Sequence, residues 1–294
     1  MLKIERILCP IDFSEFSLKA YHYAQSLAWH YKATLFLQHV VGPLPAAFTL
    51  DPLPDSTREI SQKLCAGAEQ QLQEFARNNA KRGIQPKCSA GEGVPTDLIL
   101  HFAETHAINL IVMGTHGLRG IDHLMLGSVT EKVLRKACCP VLVVGKPAND
   151  LVTAGGEPEL IHLHRILYCT DFSDNSEQAW DHAITLAAEY NAELTLLHVL
   201  EETPGSVEIE KVIVEVLERL EKRITPEARK NGKAKAAVRI GQAYREIIQF
   251  ALESRTDLII MGVRGRHALD VAVFGSTTYR VVQLGPCPVL VVHT

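Results

Sequence analysis

Two stretches of this chain space their glycines as a phosphate-binding backbone does. "GTHGLRGIDHLMLGSVTEK" runs from Gly114 to Lys132, and "GVRGRHALDVAVFGSTTYR" from Gly262 to Arg280. Each follows an apolar run, "INLIVM" or "TDLIIM". Two glycines three apart (Gly114 and Gly117; Gly262 and Gly265) are followed, after nine residues, by a Gly-Ser pair (Gly127-Ser128; Gly275-Ser276). Glycine lets a ligand approach the main chain with no Cβ in the way. The Gly-Ser pair stands where a helix should begin, and a helix N-terminus offers unpaired N–H groups and a partial positive charge to an anion. Ser128 and Thr130, like Ser276 and Thr278, add hydroxyl donors. Arg264 adds a cation where the first copy has His116. The chemistry suits a di- or triphosphate held mostly by backbone. A tight turn followed by an ordinary helix cap would give the same spacing, and a duplication would copy that as well.

A second element accompanies each loop. Asp12 and Asp171 follow short apolar runs and precede Phe-Ser. A carboxylate at a strand end can bond a ribose hydroxyl, or hold a divalent metal such as Mg beside phosphates. It can equally cap a helix. Val40 and Val199, at the end of the next apolar run, can flank a base with main-chain groups or be plain core.

These residues need a framework, and the chain writes it twice. "RILCPIDFSEFS" at Arg6 recurs as "RILYCTDFSDNS" at Arg165, and "KATLFLQHVV" at Lys32 as "NAELTLLHVL" at Asn191. "GVPTDLILHFAETHAINLIVMG" at Gly93 recurs as "GQAYREIIQFALESRTDLIIMG" at Gly241, and "CPVLVV" is unchanged at Cys139 and Cys287. The order is the same in both halves, so one domain has been duplicated. Residues 1–147 form the first domain, 148–161 a Gly- and Pro-rich linker, and 162–294 the second.

In each half short apolar strands alternate with helix-length segments. Ile7–Ile11, Leu35–Val41, a run ending near Gly93, Leu110–Met113 and Val141–Val144 read as strands. Ser14 or Ser17 caps a helix carrying Ala20, Ala24, Leu27 and Tyr31; Leu64, Ala68, Leu72 and Phe75 form the stripe of the next, matched by Val212, Val216 and Leu220. The pattern predicts an α/β fold: two tandem domains, each a doubly wound parallel sheet with helices on both faces. Ligands in such sheets bind beyond the carboxyl ends of the strands, near the topological switch point. The two "CPVLVV" strands, last in their domains and apolar, are expected to pair with each other rather than stay open edges. On that reading a charge at Val143 or Val291 would loosen the halves without unfolding either.

Taken together, the Asp after strand one, the "HV" after strand two, the G-x2-G-x9-G-S loop and the closing "CPVLVV" resemble the universal stress protein family, and do so along nearly the whole chain. The resemblance implies two tandem Rossmann-like domains, each with a five-stranded sheet, as well as ATP along the strand ends and dimer-like pairing through the last strands. It implies nucleotide contacts from Asp12, Val40, Met113, Gly114, Gly117, Gly127, Ser128, Val129 and Thr130. In the second half the matching positions are Asp171, Val199, Met261, Gly262, Gly265, Gly275, Ser276, Thr277 and Thr278. Cys169 stands where Pro10 fits the family, and Thr115-His116 becomes Val263-Arg264.

Bulk properties narrow the classes. The chain has 294 residues, a net charge of -4 and 47% hydrophobic residues, an ordinary globular composition. Lys and Arg are spread along it, which points away from nucleic acid. No apolar run approaches the ~20 residues of a membrane span. Seven cysteines do not read as a disulfide framework, so the reducing cytoplasm is the expected compartment. No G-x-x-x-x-G-K-[ST] occurs, and "GEGVPT" from Gly91 lacks the third glycine of a dinucleotide fingerprint. His162 and His164 share a strand face without further ligands at metal spacing. His39 and His198 read as satisfied core contacts, Cys138-Cys139 and Cys287 as thiols before core strands, and Pro140 and Pro288 as strand starts. The expected function is an ATP-binding stress-response regulator acting through conformation or a protein partner, the tandem chain itself being open to homodimerisation. The alternatives are a slow ATP hydrolase with Mg at Asp12 or Asp171, or a pseudo-dimeric scaffold with degenerate sites.

Overall fold

The computed structural model describes residues 3–42, 55–80, 84–117, 125–145, 161–201, 206–226, 228, 232–263 and 275–293. Strands and helices alternate as β1 (Arg6–Pro10), α1 (Glu15–Tyr31), β2 (Thr34–Val41), α2 (Asp55–Asn78), β3 (Lys87–Glu92), α3 (Pro95–Thr105), β4 (Leu110–Gly114), α4 (Ser128–Lys136) and β5 (Val141–Val144). The second half repeats the series: β6 (Arg165–Cys169), α5 (Asp174–Glu189), β7 (Glu193–Leu200), α6 (Ser206–Glu221), β8 (Ala234–Ile240), α7 (Ala243–Glu253), β9 (Leu258–Gly262), α8 (Ser276–Leu284) and β10 (Val289–Val292).

All the strands join one ten-stranded sheet in the order β3-β2-β1-β4-β5-β10-β9-β6-β7-β8. Pairing inside each half is parallel throughout. Among the described residues the one antiparallel pair is β5 with β10, in the register Val289↔Val143, Leu290↔Leu142, Val291↔Val141. The two "CPVLVV" strands therefore meet as expected. Because that pair is antiparallel, the strands of one half run opposite to those of the other. Their carboxyl ends, where ligands bind in such sheets, lie on opposite edges.

Helix α1 shows why these residues form these elements. Ser14 caps it, its side chain accepting from Ser17 N–H; Ala20, Ala24, Leu27 and Ala28 face the sheet. The helix stops where Lys32 turns left-handed (φ 52) and its N–H reaches the Ala28 and Trp29 carbonyls. Tyr31 is half-buried, its hydroxyl 2.5 Å from Glu189 of α5. In α2, Leu72 is fully buried and Ala68 nearly so, but Leu64 is 42% exposed: the stripe continues only along the C-terminal part of the helix. Pro140 and Pro288 stand just before β5 and β10, and their carbonyls accept from Ile111 and Ile259 N–H at 3.0 Å.

The sheet separates two apolar layers. Leu142, Val144, Leu290 and Val292 join the layer under α1 and α5, and Val141, Val143, Val289 and Val291 the layer on the other face. Each layer continues across the β5–β10 pair. This corrects the expectation for a charge at Val143 or Val291: both side chains are buried in a layer to which both halves contribute. A carboxylate there would disrupt the packing of each half, not merely the seam.

Candidate functional site

The end of β1 turns sharply at Asp12-Phe13-Ser14. One carboxylate oxygen of Asp12 accepts from Ser14 N–H (3.1 Å) and Ser14 Oγ (2.6 Å). Asp171 does the same for Ser173, at 3.1 and 2.6 Å. The side chain thus faces two ways: one oxygen orients the residue that caps the helix, and the other, Asp12 Oδ2, faces the glycine loop. A Cβ built on Gly117 would lie 2.3 Å from it. Between the Asp and the Ser, Phe13 and Phe172 adopt left-handed backbones, φ 64 and 61. A bulky residue in that region is strained, and such strain gathers at sites where the surrounding structure fixes a turn. Sequence spacing gave no signal for it. Here the fixing contacts are visible. Phe13 packs on His39 with ring centres 4.7 Å apart, and Phe172 on His198 at 4.8 Å. The two imidazoles in turn hold the strand-end carbonyls, His39 Nδ1 to Ile11 O at 2.6 Å and His198 Nδ1 to Thr170 O at 2.8 Å. Those histidines are the satisfied contacts that their place after an apolar strand suggested.

The glycine loops leave from the neighbouring strands β4 and β9. Gly114 and Gly262 are pressed against the first turn of a helix: an added Cβ would lie 2.7 Å from Phe16 Cβ, or 2.7 Å from the main chain of Asn175. The loop is then pinned shut at its base. Gly127 N–H donates to Thr115 O (2.8 Å) and Gly275 N–H to Val263 O (3.2 Å). Thr130 Oγ1 donates to Gly114 O (2.8 Å), and Thr278 Oγ1 to Gly262 O (3.0 Å). Both threonine hydroxyls are buried in these bonds, a correction to their reading as donors to a ligand. What remains to offer at this helix end is main chain and Ser128 or Ser276, which are exposed at the first helical position. Within α4 the first intrahelical bond runs from Glu131 N–H to Gly127 O, so the helix supplies no partner for the amides of Ser128, Val129 and Thr130. Thr277 is half-buried beside them in the second copy.

Other predicted positions fall around this frame. Val40 and Val199 are half-buried at the ends of β2 and β7, opposite Gly91 and Arg239. Met113 and Met261 are 5% exposed and their side chains belong to the core. Only their main chain stands at the strand end. His116 turns back on the protein: its Nδ1 is 3.0 Å from Thr115 Oγ1, and its ring centre 5.1 Å from that of Phe16. Arg264 and Gly265 lie outside the described residues, as do 118–124 and 266–274. Among the described residues no group of three or more His, Cys, Asp or Glu is placed to hold a metal, His162 and His164 included. No helix among them is long and apolar enough to cross a membrane.

Fold and site together define a duplicated α/β protein with an Asp turn and a pinned glycine loop at the strand ends of each half. The chain belongs to the universal stress protein family, whose model matches residues 3–145 and again 162–293. A universal stress protein of Methanocaldococcus jannaschii is 36% identical over 146 residues, covering 50% of this chain and 85% of the relative. The solved structure of a universal stress protein from Archaeoglobus fulgidus is similar over 100% of this chain and 98% of its own, with a TM-score of 0.66 and 21% identity, a likeness of fold. A further universal stress protein, solved in complex with cAMP, is 24% identical over 45% of this chain and 98% of its own, with a TM-score of 0.35.

Proposed function

We propose that each half of the protein binds one ATP at its strand-end crevice, and that the chain acts as a cytoplasmic stress-response regulator whose output is a conformation or a partner contact. The observation that carries this is the convergence at Gly117, where Asp12 Oδ2 comes against the main chain of the glycine loop. A carboxylate suited to a ribose hydroxyl and amides suited to phosphate thus stand at the ends of adjacent strands β1 and β4. Asp12 and Asp171 would receive the ribose. The amides at the starts of α4 and α8, with Ser128 and Ser276, would receive the phosphates. The ends of β2 and β7 at Val40 and Val199 would flank the base. A Mg ion travelling with the phosphates would neutralise part of their charge.

The test uses charge rather than bulk. Glutamate at position 128 or 276 suits the first turn of a helix, so the fold should not suffer. It repels a phosphate at the same place. Calorimetry with ATP should give two sites for the parent protein, one for Ser128→Glu or Ser276→Glu, and none for the double variant. A double variant that still takes up two ATP overturns the proposal. The same titration with ADP and cAMP ranks the nucleotides, and a single-turnover assay with Mg-ATP measures any hydrolysis.

A further inference from the structure

The two halves differ at a buried position of the second strand. Gln38 of β2 has Leu197 of β7 as its counterpart in the repeat. They are 5% and 1% exposed. The Gln38 amide is held by its nitrogen: Nε2 donates to Leu98 O at 3.3 Å. A main-chain carbonyl only accepts, so this bond fixes which end of the amide is which. The other end, Oε1, is buried and meets no donor among the described residues. A buried acceptor left unpaired costs free energy and calls for a reason. Packing supplies none, because leucine fills the same place in the other half. We propose that Gln38 reads the base at the first site, its Oε1 accepting a hydrogen bond from the exocyclic amine of adenine.

This role rests on the reading of the strand end as an ATP site, and the main chain places Gln38 within that site. Its own carbonyl accepts from Ile11 N–H at 2.8 Å, immediately before the Asp12 turn proposed for the ribose. Val40, proposed to flank the base, follows two residues later, about 7 Å along the strand. Residues two apart on a strand share a face. The bond to Leu98 O puts the Gln38 side chain on the face covered by α3, and Leu197 joins the equivalent layer in the second half. Helix α3 begins at Pro95, just past the end of β3, so its first turn, with Leu98, lies at the carboxyl edge of the sheet. Leu98 covers the strand beside Val40: its Cδ1 would lie 3.4 Å from a Cβ on Gly91, the partner of Val40 in the register. Half-buried at the rim, it is the side chain that must turn aside for a base to reach the amide. An acceptor so placed selects a base by the donor it carries. Adenine brings an amine at C6, and a purine lacking it leaves Oε1 unpaired as before.

The probe is purine riboside triphosphate, which is ATP without its amino group. Calorimetry on the full chain carrying Ser276→Glu reads the first site alone. ATP should bind there at least about fivefold tighter than the probe. Adding Gln38→Leu, which copies the residue of the second half, should bring that ratio below about twofold, mainly by weakening ATP. The variant is expected to fold, since leucine already fills this place in β7. Even where it does not, the ratio measured with Gln38 in place decides the matter. ATP and the probe bound with equal affinity would overturn the role of Gln38 and leave the ATP site standing. A preference for ATP that survives Gln38→Leu would also overturn it, because the amine would then be read elsewhere. Uptake of neither nucleotide would overturn both the role and the ATP reading beneath it.

Discussion

Gly114 and Gly262 open the glycine signature, and phosphate approach is the obvious reason for them. The structure gives another. A Cβ at Gly114 would lie 2.7 Å from Phe16 Cβ and 2.9 Å from the Phe16 carbonyl carbon; at Gly262 it would lie 2.7 Å from both the carbonyl carbon and oxygen of Asn175. Carbon contacts are favourable near ~3.5–4.0 Å, so α1 or α5 must give way by roughly 1 Å. Main chain at a capped helix start does not swing aside as a side-chain tip would. Forcing an extra methyl into such packing costs about 1–3 kcal/mol. In a cooperative unit of this size each kcal/mol lowers the melting temperature by about 2–4 °C. Gly114→Ala and Gly262→Ala should therefore both melt earlier, the second by at least as much because its clash is wholly with backbone. Thermal denaturation followed by circular dichroism, beside calorimetry with ATP, separates the two explanations. Variants that melt like the parent yet no longer bind nucleotide would refute the packing argument and return these glycines to the ligand.

Other outcomes follow from the same coordinates. Thr130→Val and Thr278→Val remove the buried donors to Gly114 O and Gly262 O and should each lower stability by about 1–3 kcal/mol in urea titrations, whether or not ATP is present; an unchanged urea midpoint would contradict the pinned-loop geometry. Burial pushes the Cys139 and Cys287 thiols up to about 12, while neighbouring Cys138 is exposed. Mass mapping after brief iodoacetamide treatment of the folded protein near pH ~8 should find label on Cys138 well before either of the others. His182 has its pKa lowered from 6.5, mainly by burial. The unfolded chain therefore takes up that proton at higher pH than the folded one, and stability present above the unfolded value is lost as pH falls through it. His182→Gln should flatten the fall in melting temperature between about pH 7 and pH 5; an unaltered slope would show that this imidazole is not the group responsible.

Much of this molecule was legible because its strands are buried on both faces. Runs such as "INLIVM" and "CPVLVV" carry no alternation, and only a covered, mostly parallel sheet accommodates them. Their repetition fixed the two halves and the pairing of the last strands. Side-chain direction was much less legible. Nothing in the spacing shows that Thr130 turns inward to Gly114 O, or that Met113 offers only backbone, because residues one step apart on a helix start or a strand end face opposite environments. The left-handed turns at Phe13 and Phe172 were hidden for a different reason: glycine or asparagine usually announces φ above zero, and phenylalanine does not. What holds these turns is the imidazole from the next strand, a contact across 26 residues.

The antiparallel seam constrains how two nucleotides could influence each other. The proposed sites lie at opposite edges of the sheet, so no ligand at one can touch the other, and any coupling must pass through the protein. Each proposed site adjoins the N-terminal turn of α1 or α5, through Ser14 with Asp12 and Ser173 with Asp171. The same two helices meet at their other ends. Tyr31 Oη donates to Glu189, and the rings of His30 and Tyr190 stack with centres 4.6 Å apart. A displacement of one capped turn along its helix would reach a contact with the other. If the sites are coupled, Tyr31→Phe, which breaks the hydrogen bond but keeps the ring, should change the ratio of the two ATP dissociation constants more than it changes either constant measured with the opposite site blocked by glutamate at 128 or 276. Equal shifts in both settings would mean that the sites act independently and that this contact serves stability alone.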